Sequence, residues 1–127
     1  MNRKTFIAEY TQFIQLAIKL ADKSQQQGLL SLETETEDIA DEFFKQGLRF
    51  VVGGIAPRLI DEIMTNRIAN EKDKYTRILK TVQKRAVLGI QAGEPPFSVF
   101  YNVLKSIPPL TEKEENKIDY LILFEME

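Results

Sequence analysis

Ala69-Asn70-Glu71-Lys72-Asp73-Lys74 is the stretch on which the architecture depends. It is polar after Ala69 and lies between two segments of helical periodicity. Upstream, Pro57 suits the first turn of a helix, where its missing N–H is no loss, and Ile60, Met64 and Ile68 recur on one face. Downstream, Tyr75, Ile78, Val82 and Ala86 continue a similar stripe towards Gln91. Read as helix, the hexapeptide joins both segments into one rod on the order of 50 Å long at 1.5 Å per residue. Read as a turn, it folds them back on each other. It contains neither glycine nor proline, which favours a solvated helical bridge and one long central helix. Such a rod exposes Ile78, Val82 and Ala86 unless a second chain covers them, so it predicts a homo-oligomer, a dimer first of all.

Working outward, Phe6, Tyr10, Phe13, Ala17 and Leu20 recur at helical spacing and predict a helix from about Thr5 to Gln27, ended by Gly28. Leu29 to Glu33 reads as a short turn. Glu33, Glu35, Glu37, Asp38, Asp41 and Glu42 follow without a basic residue among them. Asp41 can cap a helix over Glu42 to Val52, and Gly53-Gly54 stops it. In the second half Arg67, Lys72, Lys74, Arg77, Lys80, Lys84 and Arg85 outnumber Glu71 and Asp73. Gly93-Glu94-Pro95-Pro96 precedes a short helix carrying Phe97, Val99, Phe100, Val103 and Leu104. Thr111 and Glu114 have capping-box spacing and open a C-terminal helix, although Tyr120 to Phe124 reads equally well as a strand. The class is therefore all-α, an irregular helical domain over residues 1–110 with an amphipathic extension, 111–127, packed on or beside it.

A chain of 127 residues with 43% apolar content fits one domain, and a net charge of -2 gives no whole-chain attraction to nucleic acid. There is no cysteine and no histidine. Disulfides, thiolate or imidazole metal sites and histidine-dependent catalysis are excluded. An enzyme would rest on Glu35, Asp38 and Asp41, an exposed acidic cluster lacking a nucleophile, a phosphate loop or calcium-loop spacing. No catalysis and no cofactor are expected. The longest apolar runs, around Leu48 to Ile55 and Tyr120 to Phe124, fall far short of the roughly 18 residues a membrane span needs. Residence in the cytoplasm is expected, with peripheral membrane association through the basic run as a further option.

Two blocks carry a family resemblance. Leu16-Ala17-Ile18-Lys19-Leu20-Ala21-Asp22-Lys23, Gly28-Leu29-Leu30-Ser31-Leu32-Glu33, Phe44-Lys45-Gln46-Gly47-Leu48 and Pro57-Arg58-Leu59-Ile60 resemble the large cytoplasmic loop of MotA, a flagellar stator subunit. Ala86 to Pro95, with Phe97 and Leu104 to Pro109, resembles the MotA tail after its last membrane helix. The membrane hairpin that separates the blocks in that family is replaced here by the direct join at Ile68 to Tyr75. The resemblance implies a non-catalytic protein that binds a flagellar motor component: the stator cytoplasmic domain, the rotor protein or an accessory scaffold. It also implies that Glu33 matches a glutamate contacting the rotor protein FliG, whereas Gln25 and Gln26 stand where the family carries arginine. Glu33, Gln25, Gln26, Glu35, Asp38, Arg77, Lys80 and Lys84 are the expected partner-binding residues. The competing expectation is a helical adaptor that reuses this fold outside motility.

Overall fold

The computed structural model describes residues 1–104 and 107–125, with side chains of the last helix up to residue 120. Its elements are α1 (Arg3–Gln27), a 3-10 turn (Leu29–Leu32), α2 (Glu33–Thr36), α3 (Glu42–Val52), α4 (Pro57–Ala69), α5 (Lys74–Gln91), α6 (Pro96–Leu104) and α7 (Glu112–Glu125). There is no strand among the described residues, so the helical reading of the C-terminal segment holds and the strand alternative falls. Thr111 and Glu114 form the anticipated capping box: the Thr111 amide donates to Glu114 at 2.9 Å and the Glu114 amide to Thr111 Oγ1 at 3.2 Å. Leu121, Ile122 and Phe124 lie outside the described side chains.

The long central helix is replaced by a hairpin. Residues Asn70–Asp73 turn the chain, and α4 and α5 pack side by side. Side chains do here what glycine does elsewhere. Asp73 caps α5 by accepting from the Thr76 amide at 2.9 Å and its hydroxyl at 2.7 Å. Glu71 accepts from the Asp73 amide at 3.1 Å, its carbonyl from Arg77 Nε at 3.0 Å, and its carboxylate pairs with Lys80 at 2.9 Å. Folding back also lets Ile60 and Met64 bury against the same core as Leu79, Val82, Ala86, Val87 and Ile90. The stripe that would have required a second chain is covered within this one, with Val82 and Ala86 fully buried and Ile78 partly so. The premise for a dimer is thereby removed.

Two helices organise the core. In α1, Phe6, Tyr10, Phe13, Ile14, Ala17 and Leu20 are buried as their spacing predicts. Near the starts of α1 and α5 the Phe6 and Tyr75 rings meet at 5.0 Å, and near their ends Gln25 reaches Gly93 at 3.0 Å, so the two helices run parallel. α3 and α4 flank α5 on one side, and α6 packs across both α1 and α5. α7 lies against α1, buries Ile118 and is tied by Arg3, which donates to both carboxylate oxygens of Glu114 at 2.9 and 2.8 Å. Close approach of α3 depends on Gly47: a Cβ there would stand 2.8 Å from Val87 Cγ2 and 2.9 Å from Met64 Cε.

Candidate functional site

One end of the molecule brings together two of the motifs that carry the resemblance, the Gly28 turn and the turn after α5. Gly28, at φ 87°, takes α1 into the 3-10 turn, where Ser31 Oγ donates to the Gly28 carbonyl at 2.6 Å. Leu32 is buried and Leu29 half-buried, which fixes the turn, while Leu30 stands 72% exposed. Across from it, α5 ends in a Schellman motif: the Glu94 amide donates to the Gly89 carbonyl at 3.0 Å and the Gly93 amide to Ile90 at 3.1 Å, with Gly93 at φ 77°. Gln25 Nε2 donates to the Gly93 carbonyl at 3.0 Å and Gln91 Nε2 to the Ile55 carbonyl at 2.7 Å. The Gly28 turn, the α3–α4 link and the α5–α6 turn thus form one face. The carboxylate of Glu94 folds over Gly89 and accepts from Asn102 at 3.0 and 2.9 Å, which ties the last turn of α6 back to the end of α5.

The expected partner-binding residues divide. Gln25 is spent on Gly93, and Gln26 donates to Asp22 at 3.0 Å. Glu35 pairs with Lys23 at 2.8 Å, and that contact holds its carboxyl below the usual range. Glu33 and Asp38 are exposed, at the start of α2 and just beyond its end. Arg77, Lys80 and Lys84 belong to the hairpin rather than to this end. Arg77 and Lys80 bind Glu71, while Lys84 reaches Asp61 at 2.8 Å and Thr65 at 3.0 Å. Lys80 and Lys84 lower the carboxyl pKa values of Glu71 and Asp61 respectively. The basic run therefore laces α5 to its own turn and to α4. Lys80 lies about 17 Å along α5 from Gln91 at the helical rise, well away from Glu33's end.

Sequence reasoning missed a cavity of about 420 Å³ lined by Glu9, Gln12, Phe13 and Leu16 of α1, Ile39, Ala40, Asp41 and Phe44 around the start of α3, and Leu79 and Gln83 of α5. Its signal is Gln83, a polar residue at a core-facing position of α5, flanked one turn away by Leu79 and Val87. Phe97 and Tyr101, one turn apart on α6, are 57% and 62% exposed. Among the described residues no group of three or more acidic side chains is arranged to hold a metal ion, and no helix is long and apolar enough to cross a membrane.

The chain is similar to curated proteins named motility protein A. It is 36% identical to that of Treponema phagedenis over 77 residues, which are 61% of this chain and 30% of the relative. It is 47% identical to that of Borreliella burgdorferi over 62 residues, covering 49% and 24% of the two. With the Bacillus subtilis protein it shares 31% identity over 96 residues, 74% of this chain and 33% of the relative. The chain thus matches between a quarter and a third of these relatives' length. No family model and no solved structure matches it. The MotA-like resemblance read from the two blocks is borne out by these relatives.

Proposed function

We propose that this MotA-like chain is a non-catalytic binding module of the flagellar motor, which docks a stator, rotor or scaffold component through the end built from the Gly28 turn and the α5–α6 turn. The observation that carries the reading is the Gln25–Gly93 hydrogen bond, which unites the two resembling blocks in one surface. Leu30 offers that surface an exposed apolar anchor, and Glu33 an exposed carboxylate with no partner among the described residues. Exposed apolar groups rimmed by charge are common at protein interfaces. Glu33 and Asp38 are the contact residues in this reading. Gln25 and Glu35 shape the surface from within, and Arg77, Lys80 and Lys84 hold the hairpin. A second copy of the chain is not needed to complete it. The module acts in the cytoplasm, at the inner face of the membrane beside the motor.

The test is co-purification from a flagellated source together with swimming after deletion. Recovery of a motor protein, reduced several-fold by Leu30→Ala or Glu33→Lys, supports the reading. Unaltered swimming with no motor protein recovered replaces it with an adaptor outside motility.

A further inference from the structure

The cavity between α1, α3 and α5 combines three properties that point to one kind of occupant. Its walls are apolar, from Phe13, Leu16, Ile39, Phe44 and Leu79. Its two charged lining residues, Glu9 and Asp41, are both acidic and both exposed, and no basic residue lines it. Gln83 lines it as well; it is 2% exposed, and its Oε1 has no hydrogen-bond partner. A buried carbonyl oxygen without a donor is costly, so a ligand that supplies an N–H recovers interaction free energy there.

We propose that this cavity is a second interaction site, which takes an arginine side chain and an adjacent aliphatic residue from a basic segment of a partner protein. The guanidinium presents five N–H donors in a planar fork. One can reach Gln83 Oε1 once that covered side chain turns into the cavity, while others pair with the rim carboxylates, and its flat faces and methylene stem suit walls that include Phe13 and Phe44. The rim continues into an acidic tract, since Glu33, Glu35, Glu37, Asp38, Asp41 and Glu42 occur without an intervening Lys or Arg. That tract steers a basic segment towards the opening. A volume of about 420 Å³ accommodates two side chains and lies in the range of small-ligand sites. Asp41 Oδ1 accepts from the Phe44 amide at 2.9 Å as the cap of α3, so the rim is held by a helix start rather than by a loose loop. The cavity itself is lined by none of the residues of the Gly28 end, although the two share the acidic tract between them, and it does not require the partner to be a motor protein.

The experiment is a titration of the full chain with a capped pentapeptide carrying a central arginine between two leucines, followed by amide and side-chain NMR. The control is the same peptide with citrulline, which keeps the shape and loses the charge. Expected are shifts centred on the Gln83 side-chain amide, Leu79 and Phe44, with the citrulline peptide about tenfold weaker. Gln83→Leu is expected to weaken the arginine peptide by a similar factor while raising the thermal midpoint, because it removes an unsatisfied polar atom. Glu9→Gln, an exposed change that leaves the core intact, is expected to weaken it several-fold and to reduce its salt dependence. Equal affinity of the two peptides, shifts lying elsewhere, undiminished binding by both variants, or no binding at millimolar peptide would each overturn the proposal.

Discussion

The side-chain amide of Gln25, in the last turn of α1, donates to the carbonyl of Gly93, the left-handed residue that closes α5, at 3.0 Å across 68 positions of sequence. Helix ends leave carbonyls without intrahelical partners, and this bond satisfies one of them with a group from the neighbouring helix. It holds two parallel helices level at the end that carries the Gly28 and Gly93 turns.

Gln25→Ala is expected to cost about 0.5–1 kcal/mol, the net value of an exposed neutral hydrogen bond. Gly93→Ala is expected to cost about 1–2 kcal/mol, because no side chain clashes there but its φ of 77° disfavours any Cβ. Chemical denaturation of the two single variants checks both values.

At Gly47 the expected outcome runs against helix propensity. Alanine is intrinsically better in a helix by up to about 1 kcal/mol. The new methyl would nevertheless meet the branched Val87 at 2.8 Å as well as the flexible Met64. Overpacking of this kind costs about 1–3 kcal/mol, so Gly47→Ala is expected to lose stability on balance. Adding Val87→Ala should recover part of the loss in urea unfolding, because it removes the unyielding partner.

Acid should loosen the two ends tied by carboxylates. Arg3 holds the Glu114 carboxyl down to about 2, and hydrogen bonds from Thr76 hold Asp73 at about 2 as well. Both groups sit below their unfolded values of 4.5 and 3.8. Their stabilising contribution is therefore full above those values and is lost as pH falls through about 4.5 towards 2. Thermal midpoints measured across that window should fall, and Arg3→Met should flatten the part due to Glu114.

The hairpin has its own ruler. Spin labels at positions 58 and 92 would be about 50 Å apart on a continuous helix at 1.5 Å per residue. In the folded-back arrangement, where Gln91 hydrogen-bonds the Ile55 carbonyl at 2.7 Å, the distance should be less than half of that. Asp73→Ala should lower the thermal midpoint by a few degrees through loss of the α5 cap, while leaving this distance short.

Much of the fold was legible because apolar spacing and capping residues are local. The bounds of α3 follow from Asp41 and Gly53, and the end of α1 from Gly28. The α4–α5 break was misread because it carries no glycine or proline. Its signal was Asp73 three residues before Thr76, a cap preceding a fresh apolar stripe, and the folding advantage of covering Val82 and Ala86 is tertiary. For the site, Glu33 is exposed, as an acid in a polar tract is expected to be, whereas the exposure of Leu30 had no signal in the sequence. The engagement of Lys80 with Glu71 and of Lys84 with Asp61 depends on the hairpin, and Gln83 joins the cavity through α5 packing against α1 and α3. None of these is visible until the chain reverses.

The most direct measurement of the central claim is quantitative co-purification of the tagged chain from flagellated cells, comparing wild type with Glu33→Lys and Leu30→Ala. The account predicts a flagellar motor protein bound to the wild-type chain and depleted several-fold by each substitution, with the fold of both variants unchanged by circular dichroism. Equal recovery by all three, or a wild-type eluate without any motor protein, would contradict it.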